Sequence, residues 1–194
     1  MSEVTFTPIG VIRTPFLRRD GTPKQAVHSG GARATLELLP EYAAGLRDLE
    51  EFERVWVVFH LDRAEPWQPL VTPYLDGEER GLFATRSPDR PNPIGISAVK
   101  LLSIEGSRVV VEGIDVLDGT PVLDVKPYVP DCDAFPSSRT GWLEVANAGR
   151  RTDEPPAERA GPDGEGVCVR CGETVERAPG ALMAHRRVCP ARMR

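Results

Sequence analysis

No run of about 18 apolar residues occurs in the 194-residue chain, so no segment has the length a bilayer-crossing helix needs. The opening, MSEVTFTPIG, lacks the charged-then-apolar order of a secretory leader, and the two absences together predict a cytoplasmic protein. Familiar catalytic signatures are missing as well. There is no G-x-S-x-G elbow, no H-E-x-x-H pair, no P-loop, and no G-x-G-x-x-G after a strand, which argues against a Rossmann nucleotide site. Acidic residues stop at Glu176, whereas Arg177, Arg186, Arg187, Arg192 and Arg194 follow it. A chain of net charge −5 therefore ends on a basic stretch, suited either to phosphate contact or simply to solvation.

The length allows one good core and a small appendage. Residues 1–147 read as mainly β, with short apolar or alternating runs bounded by turn residues: VTFTPIGVIRT, ARATLELL, RVWVVFHL, GLFAT, GISAVKLLSI, RVVVEGIDVL, PVLDVKPYV and WLEVANA. In PEYAAGLRDLEEF, Tyr42, Leu46, Leu49 and Phe52 recur at helical spacing and predict one helix. Glu105-Gly106 and Asp118-Gly119 are turn dipeptides that suggest consecutive hairpins. Many short strands with tight connections predict a closed antiparallel β-barrel with one or two short helices, since closure removes exposed strand edges. Residues 148–166 are rich in Pro, Gly and charge and predict a flexible linker, leaving 167–194 as a separate segment.

That last segment carries Cys168 and Cys171 as C-x2-C, then His185 and Cys189 as H-x3-C, with the final two one helical turn apart. Three thiolates and an imidazole at this spacing suit tetrahedral Zn2+ in a small zinc finger. A disulfide explains the histidine less well. With every ligand supplied by protein the site would be structural. Cys132 has no partner in this pattern and reads as a free thiol.

GLFATRSPDRPNPIGIS, residues 81–97, places Pro88, Pro91 and Pro93 among Arg86, Arg90 and Asn92. Proline fixes φ and biases the residue before it to extended geometry, so the loop is stiff before anything docks. A rigid connection between strands would account for the prolines alone; the guanidinium and amide groups point further, to a preordered binding loop. Other polar residues stand at predicted strand ends: Gln25, His60, and Asp118 with Thr120. Asp115, Asp118, Asp124 and Lys126 interrupt strands that otherwise look buried, where charge is costly unless paired or bound.

Five ordered blocks, IGVIRTPF, PKQ, LEEFERVWVVFH, GLFATRSPDRPNPIGIS and GIDVLDGTPVLDVKPYVP, resemble the TsaA-like or TrmO-like (YaeB) family over roughly residues 7–135. The resemblance implies a β-barrel, homodimeric methyltransferase that uses S-adenosylmethionine and methylates the exocyclic amine of threonylcarbamoyl-adenosine beside the anticodon of certain tRNAs. Matched motifs imply cofactor contacts at Pro23, Lys24 and Gln25; Phe59 and His60; Arg86; and Asp118, Gly119, Thr120 and Pro121. The Arg90–Ile94 loop is implied near the cofactor at the subunit boundary. Arg86 suits the cofactor carboxylate by its paired N–H geometry. His60, Asp118 and Asn92 are candidates for catalytic roles, with the proton acceptor open. The linker and finger stand where tRNA-acting members usually carry a further mixed domain. Two alternatives stay open: the same methyl transfer to a small molecule or protein, or a non-catalytic nucleotide-binding adapter.

Overall fold

The structure is a computed structural model that describes residues 3–19, 22, 23, 25, 26, 29–73 and 77–146, and the backbone of 147–148, 159–160, 166–167 and 174–175. Six strands close into an antiparallel barrel: β1 (Gly10–Arg13), β2 (Arg33–Leu38), β3 (Arg54–His60), β6 (Ile94–Glu105), β7 (Arg108–Glu112) and β8 (Thr120–Pro127). Their order around the barrel is β1-β2-β7-β6-β3-β8, with β8 returning to pair with β1. Between β3 and β6 lies a two-stranded ribbon of β4 (Leu70–Val71) and β5 (Arg80–Gly81).

Alternation makes these strands. In β3 Val55, Val57 and Phe59 are buried while the residues between them are half-buried, and β2 and β7 repeat the pattern. Ile12, Leu36, Val57, Val99, Val111 and Val122 are fully buried, so the barrel interior is packed with side chains. Each such side chain stabilises the fold by about 1.5–3 kcal/mol. Gly95 is required where it faces Phe59 across the β3–β6 ladder: a Cβ there would lie 2.0 Å from Phe59 Cε2.

Four expectations are corrected. PEYAAGLRDLEEF forms two 3-10 turns, Pro40–Leu46 and Leu49–Glu51, because Asp48 between them is left-handed (φ 66°) and breaks the helical path. GLFAT contributes only Gly81 to a strand; Leu82–Ala84 is a 3-10 turn that buries Leu82. WLEVANA is not a strand but helix α2 (Trp142–Ala148), held where Trp142 Nε1 donates to the Ala84 carbonyl at 2.9 Å and Thr140 N donates to Glu144 Oε1 at 2.7 Å. Asp118-Gly119 is a turn but not a hairpin, since β8 pairs with β1 and β3 and not with β7. Glu105-Gly106 is the expected hairpin, with Gly106 at φ 62°.

The antiparallel register sorts the connections between the two ends. Arg13 pairs with Thr35, Arg33 with Glu112, His60 with Ile94, and Ile12 with Thr120. The described residues of 14–32, 61–93 and 113–119 therefore all gather at one mouth. At the other end sit the Gly106–Ser107 turn, the 3-10 turns Pro40–Leu46 and Leu49–Glu51, and the exit from β8 into α1 (Pro130–Asp133). There Trp56 Nε1 donates to Asp133 Oδ2 at 3.0 Å and the indole meets Tyr128 edge-on.

Further along, β9 (Arg159–Ala160), β10 (Gly166–Val167) and β11 (Thr174–Val175) form an antiparallel sheet in the order β11-β10-β9. No helix among the described residues is long and apolar enough to cross a membrane.

Candidate functional site

The sequence-predicted site residues that the structure describes belong to this mouth, apart from Phe59, whose ring lies in the barrel core, and Pro121, which follows Thr120 into β8 and pairs with Val11. The proline-rich loop is held by more than its prolines. Arg90 Nη1 donates to the carbonyl of Thr85 at 3.2 Å and to that of Ser87 at 3.5 Å, and its guanidinium lies 5.5 Å from the Phe83 ring centre. Asp89 Oδ1 accepts from the Glu65 amide at 2.7 Å and from Arg19 Nη2 at 3.2 Å; Arg19 Nη2 also donates to the Arg63 carbonyl. Arg90 and Asp89 thus clamp the loop to itself and to its neighbours. Arg86 and Asn92 remain exposed on it.

Arg86 Nη1 donates to Gln25 Oε1 at 3.3 Å, joining two residues 61 positions apart. Behind them lies Asp115. Ser97, buried on β6, donates its hydroxyl to Asp115 Oδ1 at 2.8 Å. Burial pushes the Asp115 carboxyl up from the ordinary range, against the downward pull of Ser97, of the backbone N–H groups of Asp115 and Ala26, and of the Arg86 charge.

The Asp118–Pro121 segment is fixed by its main chain. Asp118 N donates to the Phe16 carbonyl at 2.7 Å, Gly119 N to that of Ile12 at 2.8 Å, and Thr120 N to that of Leu117 at 3.3 Å. Gly119 has φ 78°, as the third residue of a type II turn requires, and a Cβ there would meet nothing within 4 Å. Its backbone is open to a ligand. Asp118 Oδ1 accepts from Thr14 N at 3.1 Å and Oδ2 lies 3.7 Å from Arg13 Nη1, so this carboxylate anchors the β1 exit. The Thr120 hydroxyl is buried, accepting from Arg63 Nη2 at 3.1 Å and donating to the Leu117 carbonyl at 2.7 Å. Asp124 pairs with Lys126 at 2.6 Å.

Pro23 and His60 are half-buried at the mouth, whereas the Phe59 ring is turned into the barrel core against Gly95. Among the described residues no hydrogen bond reaches the His60 imidazole. Lys24, Cys168, Cys171, His185 and Cys189 lie outside the described residues. Among the described residues no group of three or more His, Cys, Asp or Glu could hold a metal ion. Cys132 is a free, exposed thiol. Sequence reasoning missed Ser97, Arg63 and the Asp89–Arg19 pair. Ser97 leaves a trace, a hydroxyl at an inward position of an apolar strand.

Residues 11–134 match the family described as the tRNA-methyltransferase O N-terminal domain. A probable S-adenosyl-L-methionine-binding protein of Pyrococcus abyssi is 45% identical over 141 residues, covering 73% of this chain and 77% of its own. A tRNA (adenine(37)-N6)-methyltransferase of Escherichia coli is 39% identical over 158 residues, covering 76% and 67%. The crystal structure of TrmO from Pseudomonas aeruginosa superposes with a TM-score of 0.61 at 41% identity, covering 72% of this chain and 62% of that one.

Proposed function

Because this chain belongs to the tRNA-methyltransferase O N-terminal domain family, we propose that it methylates the exocyclic amine of threonylcarbamoyl-adenosine beside a tRNA anticodon, with S-adenosylmethionine as methyl donor. One observation carries the reading: Gln25, Arg86, His60 and the Asp118–Thr120 turn, scattered in sequence, share one barrel mouth, with Arg86 and Gln25 in direct contact. Its relatives' names support both the donor and the acceptor.

The donor set fits the cofactor. An exposed guanidinium suits its carboxylate, a glycine backbone open on one side admits close approach of a ribose or adenine edge, and Gln25 offers amide groups. Pro23, Lys24 and Pro121 flank these contacts in sequence, and Phe59 sets the strand on which His60 sits. When bound, S-adenosylmethionine supplies an electrophilic methyl on a good leaving group. The chain's own task is then alignment and exclusion of water, and no covalent nucleophile is needed. The acceptor amine must lose a proton. Asp118 is engaged by Thr14 and Arg13, so His60 is the group we assign to that proton, with exposed Asn92 orienting the acceptor.

Three further parts belong to this reading. The chain acts as a homodimer, with the subunit boundary at the Arg90–Ile94 loop, flanked by Phe83, 78% exposed beside Arg90, and by Ile96 on β6, 59% exposed. Cys168, Cys171, His185 and Cys189 hold a structural Zn2+. A tRNA acceptor is met in the cytoplasm, which is where the protein is expected to work.

Calorimetry with S-adenosylmethionine tests the donor: wild type should bind, and Arg86→Ala should weaken binding by about 1.5–3 kcal/mol, as for loss of a charged hydrogen bond. Nucleoside mass spectrometry of tRNA from cells lacking the gene tests the acceptor. An unchanged modification profile would refute it.

A further inference from the structure

Asp115 belongs to none of the motif contacts above, yet three parts of the mouth meet on it. Ser97 reaches it from inside β6, at 2.8 Å. The Ala26 backbone N–H in the β1–β2 connection and the charge of Arg86 in the proline-rich loop both favour its charged form. Ala26 follows Gln25 directly in the chain, and Gln25 accepts from Arg86 at 3.3 Å. The two side chains assigned to the cofactor are thus each one step from the same carboxylate.

We propose that Asp115 is a positioning residue for cofactor binding: fixed by the Ser97 hydroxyl, its carboxylate holds the Gln25–Ala26 turn and the Arg86 guanidinium in the arrangement that receives S-adenosylmethionine. The inference rests on the proposed assignment of Gln25 and Arg86 to that ligand. A carboxylate used only to hold the fold together would be out of place here, because desolvation works against its charge and a neutral amide could accept the same N–H and O–H bonds. Its charge is what an amide lacks. That charge gives Arg86 a fixed orientation before the ligand's own carboxylate arrives, so less freedom is lost on binding.

The test uses the full chain with S-adenosylmethionine as the probe and tRNA as acceptor. Asp115→Asn should raise Kd and KM for the donor about tenfold, the scale of one charge-assisted hydrogen bond, with kcat at saturating donor within about twofold of wild type. Ser97→Ala, which frees the carboxylate without removing it, should raise the same constants by about threefold, and it carries the test if Asp115→Asn does not fold. Added to Arg86→Ala, Asp115→Asn should cost no further affinity, because both act through one contact. Thermal stability of Asp115→Asn should match or exceed wild type, so that the lost donor affinity is not a loss of folding. The proposal is overturned by unchanged donor affinity in both single variants, by additive losses in the double variant, or by a fall in kcat with KM unmoved. If Arg86→Ala alone leaves donor binding intact, the assignment of the site fails and takes this inference with it.

Discussion

Gly95→Ala puts the close approach of β3 and β6 to a direct test. A Cβ on residue 95 would stand 2.0 Å from Phe59 Cε2, 2.5 Å from Cζ and 2.7 Å from Cδ2. Carbon atoms prefer about 3.5–4.0 Å, so the ring must retreat by roughly 1.5 Å. It has little room, because Phe59 is 4% exposed and its strand neighbours Val57 and Val122 are fully buried. Overpacking of this kind costs about 1–3 kcal/mol. Without a clash, Gly→Ala in a strand would instead stabilise by roughly 0.5–1 kcal/mol, so even the sign is informative. Melting temperature should fall by about 3–10 °C for a domain of this size. Phe59→Leu shortens the ring that clashes, so the double variant should be more stable than the sum of the two single losses predicts. A stable Gly95→Ala variant, or strict additivity, would refute the packing described here.

Asp89→Ala should cost about 1 kcal/mol and speed hydrogen exchange at the Glu65 amide, whereas Asp89→Asn, which keeps an acceptor oxygen, should retain most of the protection. Equal exchange in all three proteins would remove Asp89 from its clamping role. The raised Asp115 carboxyl makes a signed prediction: the native state takes up this proton at higher pH than the unfolded chain, so the stability it contributes is fully present below the ordinary carboxylate range and is lost as pH rises through the higher native value. Urea titrations between about pH 4 and pH 7 should show wild type gaining on Asp115→Asn as pH falls, and a flat difference would contradict the burial. Metal analysis should find one Zn2+ per chain, lost in Cys168→Ser without change in barrel melting; a metal-free wild type would refute the finger.

The barrel strands were legible because each carries its own signal. RVWVVFH and RVVVE alternate, and the burial of Val55, Val57, Val109 and Val111 follows that alternation. What was illegible depends on partners far along the chain. Trp142 and Val145 read as a strand pattern, yet Trp142 is bonded to Ala84, and Val145 is 80% exposed on a helix. Asp118-Gly119 looks like a hairpin locally, and only the pairing of β8 with β1 and β3 shows that it is not. The site divides in the same way. Gln25, Arg86, Asn92 and the Asp118–Thr120 turn stand out by residue type at strand ends. Ser97 and Asp115 become partners only once the β3–β6 register has placed Ser97 inside the mouth.

The Gly106–Ser107 turn joins β6 to β7 on the side facing away from the long connections, and Gly106 has open space where a Cβ would stand. It is a natural handle. A fluorophore, an affinity tag or a surface tether attached there would leave ligand access untouched, so immobilised protein should capture its substrates as readily as protein in solution.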